Sequence, residues 1–169
     1  MNLIPDYYYK KIEEIPREFF ERIGVKGLIL DIDNTLTQDG SPDVEKTVED
    51  WVKGLCDFGI KAVIISNNDA ERASPFAKRL ELPFVAKALK PKLGGFLKAL
   101  EIMGIERGET AVIGDQLFTD ILLAKRANCR SFLVDPVGDD KFPFVRVKRF
   151  FERPVKRKII KVFGEKNDE

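Results

Sequence analysis

The sequence predicts an α/β fold in which helices cover both faces of a doubly wound, mostly parallel sheet of five strands. Short apolar runs alternate along the chain with segments whose apolar residues recur at helical spacing, and this alternation is typical of parallel sheets. Several apolar runs end abruptly at small polar or acidic residues, as strands do at the sheet edge where ligands bind. A length of 169 residues with 44% hydrophobic residues is sufficient for one domain with one core.

The elements are predicted in a regular order. A short helix over 16–24 has Pro16 near its start and Gly24 at its end, where these residues are favoured. Apolar runs predict strands, in chain order, at 27–30, 60–66, 84–86, 110–114 and 131–134. Between them, the helical spacing of apolar residues predicts helices at 44–58, 70–80, 91–103 and 118–127.

We expect a single domain over 1–169, with its core at 25–135. Residues 1–24 then form an N-terminal helical segment and residues 141–163 a basic amphipathic C-terminal segment. Residues 141–169 carry 10 Lys and Arg against 4 Asp and Glu, whereas residues 1–140 carry 19 against 24. Because the sequence shows no leader pattern and no stretch long enough to span a bilayer, we expect a cytoplasmic protein, with peripheral contact to the inner membrane face.

The amino-acid inventory excludes several kinds of catalytic site. The chain has no histidine, so Ser-His-Asp triads and histidine phosphatases are excluded. The two cysteines form no CxxC pair, and neither has the Arg six residues later that a cysteine phosphatase needs. Carboxylates, Lys, Ser and Thr remain, and they favour the chemistry of a hard metal ion with oxygen ligands.

Three predicted strands end at polar side chains that parallel strands bring to one edge of the sheet. These residues are Asp31, Ser66 and Asp115. Two carboxylates that converge from separate strands are costly without a cation between them, and Mg²⁺ is the natural occupant. Asp120 lies about one helical turn beyond Asp115, where it can orient the waters of the metal, although an acid in a first helical turn is also favoured by the helix dipole.

Each of these segments also has a structural interpretation. Asp31 with the residues after it can form an Asx turn. The segment 66–69 precedes a helix, so it can hold a phosphate at the helix N-terminus or simply cap the helix through Asn68 or Asp69. Lys90, ahead of Pro91, can be an ordinary solvated lysine. The order in which the segments occur is therefore more informative than any one of them.

Four ordered motifs in this chain resemble those of the haloacid dehalogenase (HAD) superfamily. They are Asp31-Ile-Asp33-Asn34-Thr35, Ser66-Asn67, Lys90-Pro91 and Gly114-Asp115-Gln-Leu-Phe-Thr-Asp120. The last motif, together with Pro5-Asp6 and the Asn67-Asn68 pair, is similar to the YqeG group of type IIIA HAD phosphatases, which includes the mitochondrial-type phosphatidylglycerophosphate phosphatases. The resemblance implies a three-layer, Rossmann-like HAD sheet.

The resemblance also implies a role for each motif residue. Asp31 is the implied nucleophile, which forms an aspartyl-phosphate, and Asp33 is the implied general acid and base. An acid at position 33 implies a phosphatase, because dehalogenases and cation-pumping ATPases of the superfamily lack it. Mg²⁺ is implied to bind Asp31, the backbone carbonyl of Asp33 and Asp115. The residues implied to bind the transferring phosphoryl group are Ser66, Asn67, Thr35 and Lys90.

No segment of the chain has room for the cap domain that encloses small substrates in many HAD enzymes. The intervals 35–60 and 68–90 each hold little more than one predicted helix. An open site cannot enclose a small metabolite, so it suits a phosphate carried by a lipid, a protein or a nucleic-acid end.

The C-terminal segment admits two interpretations. Its apolar residues follow helical spacing while most of its cations fall elsewhere, and Pro154 is expected to start or kink a helix. The segment can therefore lie on an anionic membrane, or its apolar stripe can pack on the domain with the cations in water. The same alternatives apply to Tyr7–Tyr9. The stripe consists of Phe151, Val155, Ile159 and either Val162 or Phe163.

These observations lead to one principal functional hypothesis. It is a capless, Mg²⁺-dependent phosphomonoesterase that converts phosphatidylglycerophosphate to phosphatidylglycerol. The first alternative is a HAD phosphatase for a protein or a nucleic-acid end. The second is an RNA- or ribosome-binding module with a vestigial site. The complete set of motif residues speaks against a vestigial site, and nucleic acid is the less favoured partner.

Overall fold

The computed structural model describes residues 3–140 and 143–167. Within these ranges the strands are β1 (Tyr7–Tyr9), β2 (Gly27–Leu30), β3 (Lys61–Ile65), β4 (Phe84–Val85), β5 (Thr110–Gly114) and β6 (Arg130–Val134). They form one six-stranded sheet in the order β1-β6-β5-β2-β3-β4, and every pairing between neighbouring strands is parallel. The prediction of a doubly wound parallel sheet is confirmed, and its five predicted strands are joined by a sixth at one edge.

Helices cover both faces of the sheet and produce three layers. They are α1 (Arg17–Arg22), α2 (Lys46–Lys53), α3 (Ala70–Leu80), α4 (Leu93–Met103), α5 (Leu122–Ala127) and α6 (Pro143–Asn167). Strand β2 shows how the layers arise, because Leu28 and Leu30 join the core under α1, α2 and α3 while Ile29 joins the core under α4 and α5. A strand buried on both faces reads as a continuous apolar run, as β2 does.

Strand β1 is the element that the sequence did not predict, because its three tyrosines lack the alternation of a strand and fall within the segment expected to be helical. Tyr7 pairs with Phe132 and Tyr9 with Val134 of β6. The Tyr8 hydroxyl donates to Asp135 Oδ2 at 2.7 Å. The packed interpretation of the tyrosines is therefore correct, and the N-terminal segment contains a strand as well as the expected helix.

Helix α6 runs continuously through Pro154, so the expectation that a new helix starts at that residue is wrong. Val155, Ile159 and Phe163 pack against a small apolar cluster formed by Leu117, Ile121 and Leu133 with Tyr8. For these three residues, the packed interpretation of the C-terminal stripe is correct. The packed interpretation does not hold for Phe151 and Val162, because both side chains are exposed.

The connections between the central strands leave the sheet edge open. The segment between β2 and β3 contains α2 and a short 3₁₀ turn at Cys56–Phe58, and the segment between β3 and β4 contains α3. Neither forms a cap, as the sequence predicted. Among the described residues, no helix has both the length and the apolar composition that crossing a bilayer requires.

Candidate active site

A cleft of about 360 Å³ lies at the carboxyl ends of the central strands. Asp31, Ser66 and Asp115 directly follow β2, β3 and β5, which are neighbours in the sheet. All three are buried, as parallel strands that end at one edge require. The cleft is lined by Asp31, Asp33, Asn34, Asp39, Ser66, Asn67, Asn68, Lys90, Gln116, Thr119, Asp140, Phe144, Val145 and Lys148.

Lys90 joins two of the buried carboxylates. Its ammonium donates to Asp31 Oδ1 at 2.6 Å and to Asp120 Oδ1 at 2.7 Å, and its side chain is 4% exposed. Burial lowers the pKa of Lys90, but Asp120 and Asp31 together raise it above its ordinary value, so the group is a permanent cation. Burial also raises the pKa of Asp31, an effect that Lys90 partly offsets.

Asn67 fixes the backbone from which Lys90 projects. Its Oδ1 accepts from the Lys90 backbone N–H at 2.6 Å, and its Nδ2 donates to the Lys90 carbonyl at 3.2 Å. Ser66 Oγ accepts from the Asn68 backbone N–H at 3.1 Å. Ser66 and Asn67, both among the residues predicted to bind phosphate, thus line the cleft and order the loops around it. The Asp69 side chain accepts from Arg72 N at 3.2 Å and caps α3, as the structural interpretation expected of Asn68 or Asp69.

Asp33 lies at the cleft but apart from the buried carboxylates. Its Oδ1 accepts from Arg72 Nε at 3.1 Å and Nη2 at 2.6 Å, and its Oδ2 accepts from Asn68 Nδ2 at 2.8 Å. Sequence reasoning assigned no catalytic role to Arg72 or Asn68. The available signal was their position at the start of the helix that follows Ser66-Asn67, where side chains face the sheet edge.

Three carboxylates form a group suited to a divalent cation. Asp31, Asp115 and Asp120 each offer an oxygen, and these oxygens lie within 4.8 Å of one another. Burial raises the pKa of Asp115 to about 6, against the opposing effect of Arg149. Buried carboxylates that provide only oxygen donors fit a hard divalent cation, which would offset their repulsion. Asp120, predicted to orient waters, belongs to this group, whereas the Asp33 carboxylate does not.

Thr35, which was predicted to bind phosphate, lies beside Asp115. Its hydroxyl lies 3.4 Å from Asp115 Oδ1, its side chain is buried, and it is not among the described residues that line the cleft. Thr35 belongs to a tight turn after Asp33, in which its backbone N–H donates to Ile32 O at 3.1 Å. Thr35 therefore contacts Asp115, and its role in phosphate binding stays a prediction.

Gly114 allows Asp120 to reach the site. Residues Leu117–Ile121 form a wide π-type turn that folds the Asp120 carboxylate back over the end of β5. A Cβ atom at position 114 would lie 2.2 Å from Asp120 Cγ, so only glycine permits this approach. Asp120 Oδ2 then accepts from the Gln116 backbone N–H at 3.2 Å.

Arg149 of α6 is the site residue that lies furthest along the chain from any of the four motifs. Its Nη1 donates to the Asp115 carbonyl at 2.8 Å, its Nη2 donates to the Asp115 carboxylate, and its Nε donates to Asp140 Oδ2 at 2.9 Å. One turn later, Glu152 is fully buried and its Oε1 accepts from the Phe118 backbone N–H at 3.1 Å. The sequence feature that could have indicated this attachment of α6 is Glu152, because it is the only acidic residue between 141 and 163.

Comparison with known proteins identifies the family. A model of the family described as mitochondrial PGP phosphatase matches residues 1–138. The chain belongs to this family. Within it, the chain is 35% identical over 163 residues to the probable phosphatase YqeG of Bacillus subtilis, covering 96% of this chain and 92% of that protein. Membership of the PGP phosphatase family agrees with the phosphatase resemblance of the four motifs.

More distant relatives agree with this assignment. Phosphatidylglycerophosphate phosphatase 1 of the Chlamydomonas reinhardtii chloroplast is 25% identical over 150 residues, which cover 83% of this chain and 56% of that protein. Among solved structures, the cobalt-bound deoxy-D-mannose-octulosonate 8-phosphate phosphatase of Haemophilus influenzae has a TM-score of 0.51 at 23% identity, covering 66% of this chain and 68% of that one. This structural likeness shows the shared fold. The protein is a HAD-type phosphatase, a phosphoric monoester hydrolase.

Proposed function

We propose that this PGP phosphatase family member is a Mg²⁺-dependent enzyme that hydrolyses phosphatidylglycerophosphate to phosphatidylglycerol through an aspartyl-phosphate. One observation carries the proposal: Asp31 is buried against Lys90 at 2.6 Å, while Asp33, two residues on, is held at the same cleft by Arg72. A fixed nucleophile beside a separately held acid is the arrangement that phosphoester hydrolysis requires.

In the first step, Asp31 attacks phosphorus and the bond from phosphorus to the lipid oxygen breaks. Asp33 gives its proton to the departing alkoxide, and an aspartyl-phosphate remains on Asp31. Lys90, Ser66 and Asn67 hold the transferring oxygens, and the ammonium of Lys90 reduces the repulsion between Asp31 and the phosphate.

In the second step, Asp33 takes a proton from water, and the water oxygen attacks phosphorus. The bond between phosphorus and the Asp31 oxygen breaks, which releases inorganic phosphate and restores the carboxylate. Mg²⁺, when bound by Asp31, Asp115 and the Asp33 carbonyl, supplies positive charge against the phosphoryl oxygens. Asp120 holds Lys90 from the other side and so fixes the direction of its ammonium.

The capless opening supports a substrate carried on something large. A cleft without a lid cannot surround a small metabolite. The name of the Chlamydomonas relative specifies phosphatidylglycerophosphate as that protein's substrate. We propose the same lipid here, at the inner face of a membrane reached from the cytoplasm.

Phosphate release from three substrates tests the proposal. Phosphatidylglycerophosphate in detergent micelles, soluble phosphomonoesters and 3′-phosphorylated oligonucleotides are each supplied with Mg²⁺ or with EDTA. We expect Mg²⁺-dependent release with a strong preference for the lipid. A preference for soluble esters or for oligonucleotides would contradict the lipid assignment, and no release from any of them would contradict the proposed reaction.

A further inference from the structure

The first nine residues of α6 expose four large apolar side chains to solvent. Phe144 is 68% exposed, Val147 56%, Phe150 62% and Phe151 64%. At about 100° per residue these positions fall within roughly 120° of the helix circumference, on the side away from the buried Glu152. We call Phe144, Val147, Phe150 and Phe151 the α6 apolar patch. It differs from the packed stripe of Val155, Ile159 and Phe163, which the domain already covers.

Cations surround the patch on the exposed side of the helix. The Lys148 ammonium lies 4.5 Å from the centre of the Phe144 ring, and the Arg153 guanidinium lies 5.8 Å from that of Phe150. The same face continues with three exposed basic residues: Arg157, Lys158 and Lys161. The only acid between 143 and 163, Glu152, is buried on the opposite side. An exposed aromatic surface with basic side chains beside it on the same helix is complementary to an anionic lipid interface.

The patch is joined to the catalytic cleft by the helix that carries it. Phe144 and Lys148 also line the cleft that contains Asp31 and Asp33. Arg149, one residue further along, fastens the helix to Asp115. A surface that binds the patch therefore lies beside the opening through which a lipid phosphate would enter.

We infer that the α6 apolar patch is a membrane-docking surface, which inserts into the interface of an anionic phospholipid bilayer and places the cleft against it. The inference rests on the proposed function for the identity of the substrate, and it adds the surface that brings enzyme and lipid together. Self-association is less favourable, because a second copy on a twofold axis would bring the same cations face to face. An anionic membrane interface instead offers apolar contact to the side chains of the patch and negative charge to the cations beside it.

The test compares a triple variant of the patch with a matched control in the full chain. Val147→Ser, Phe150→Ser and Phe151→Ser are combined, and Phe144 is retained because it lines the cleft. The control combines Leu97→Ser and Ile102→Ser, two side chains of α4 that are 47% and 49% exposed. Vesicles of phosphatidylglycerol with phosphatidylcholine, and of phosphatidylcholine alone, are sedimented with each protein.

We expect the wild type and the control to sediment with the anionic vesicles and less with the neutral ones. The triple variant should lose at least about tenfold in partition coefficient with an unchanged thermal midpoint. Equal partition of the triple variant and the wild type would overturn the inference. So would a dimer that the triple variant dissociates, or binding of an oligonucleotide by the patch without binding of vesicles.

The failure of this inference is distinguishable from the failure of the proposed function. Hydrolysis of phosphatidylglycerophosphate in detergent micelles does not require docking on a bilayer. Normal hydrolysis in micelles without vesicle binding would refute only the docking surface. Vesicle binding that depends on the patch, without hydrolysis of the lipid in micelles, would refute only the proposed substrate.

Discussion

Lys90 is buried with two acids, so the loss of one acid and the loss of the lysine have different consequences. Asp31→Asn removes the proposed nucleophile but leaves Lys90 paired with Asp120 at 2.7 Å. We expect phosphate release to fall below detection, because an amide does not form the acyl phosphate. The thermal midpoint should stay within a few degrees of the wild type, since no buried charge loses its last partner.

Lys90→Met serves as the contrasting variant. It leaves Asp31 and Asp120 buried without their shared cation, so the midpoint should fall by several degrees. Calorimetry and phosphate release measured on both variants separate the two effects. Substantial residual turnover in Asp31→Asn would contradict the assignment of the nucleophile.

Arg72 is a positioning residue for Asp33. Its guanidinium contacts Asp33 Oδ1 through two nitrogens, and its Nη1 donates to the Ser41 carbonyl at 2.5 Å. Arg72→Ala should lower kcat about tenfold with little change in KM, because the acid loses its orientation while phosphate contacts remain. Arg72→Ala added to Asp33→Asn should have almost no further effect. Additive losses in that pair would show that Arg72 acts independently of Asp33.

The site residues fall into two groups according to how far the sequence predicts them. Asp31, Ser66 and Asp115 were placed from the sequence, because a parallel strand that ends in a polar residue puts it at a known edge. Arg72 and Arg149 were not, because long side chains reach the site from helices whose placement depends on tertiary packing. Thr35 was assigned to phosphate through the motif, whereas the local turn directs its hydroxyl to Asp115.

At the scale of elements, the π-type turn after β5 depends on glycine at position 114. Gly114→Ala would place a Cβ atom 2.2 Å from Asp120 Cγ, so the Asp120 side chain would have to move and would lose its contact with Lys90. We expect the free energy of unfolding to fall by about 1–3 kcal/mol and turnover to fall with it. Urea unfolding provides the measurement.

Gly94→Ala is the matched control for this substitution. Nothing lies within 4 Å of a Cβ atom at position 94 of α4, so alanine there should change stability by less than about 1 kcal/mol, in the stabilising direction. Equal effects of the two substitutions would contradict the close approach of Asp120. The contrast isolates the contact from the general effect of replacing glycine.

The predictability of elements follows from the strength of their local signals. The prediction of a helix over 70–80 matches Ala70–Leu80, where the Asp69 cap and a helical apolar pattern coincide. Strand β1 has neither alternation nor a flanking turn, and only its pairing with β6 makes it a strand. Helix α6 was predicted as amphipathic, but two apolar faces share it, and only packing distinguishes the covered face from the exposed one.

For the whole molecule, the buried site links divalent cations, protons and stability. Without a cation, Asp115 has a pKa raised from 3.8 to about 6, so the folded state binds protons more tightly than the unfolded state. This group therefore lowers stability as pH rises from about 4 through 6. Cation binding requires the deprotonated carboxylate, so it should be weak at pH 5 and strong at pH 7.5.

The expected result is a Mg²⁺-dependent rise in the thermal midpoint that grows with pH. At ten times the dissociation constant the gain is about 1.4 kcal/mol, or roughly 3–6 °C, at pH 7.5, and much less at pH 5. Asp115→Asn should abolish the shift at both pH values. A shift that is independent of pH, or that persists in Asp115→Asn, would place the cation elsewhere.

Both terminal segments pack on the central part of the chain. Strand β1 pairs with β6, and α6 covers Leu117 and Ile121 while it reaches Asp115 through Arg149. Contacts of this kind leave no independent terminal unit among the described residues. We therefore propose that residues 1–169 form one domain with its core at 25–135.

The pairing of β1 with β6 also has a consequence for folding on the ribosome. Tyr7–Tyr9 leave the ribosome before the central strands, yet their partners, Phe132–Val134, are made more than 120 residues later. Contacts so distant in sequence form slowly, because the loop between them must close first. During synthesis the three tyrosines therefore remain without their strand partners until β6 has been made, and an unpaired strand is a site at which a nascent chain can aggregate.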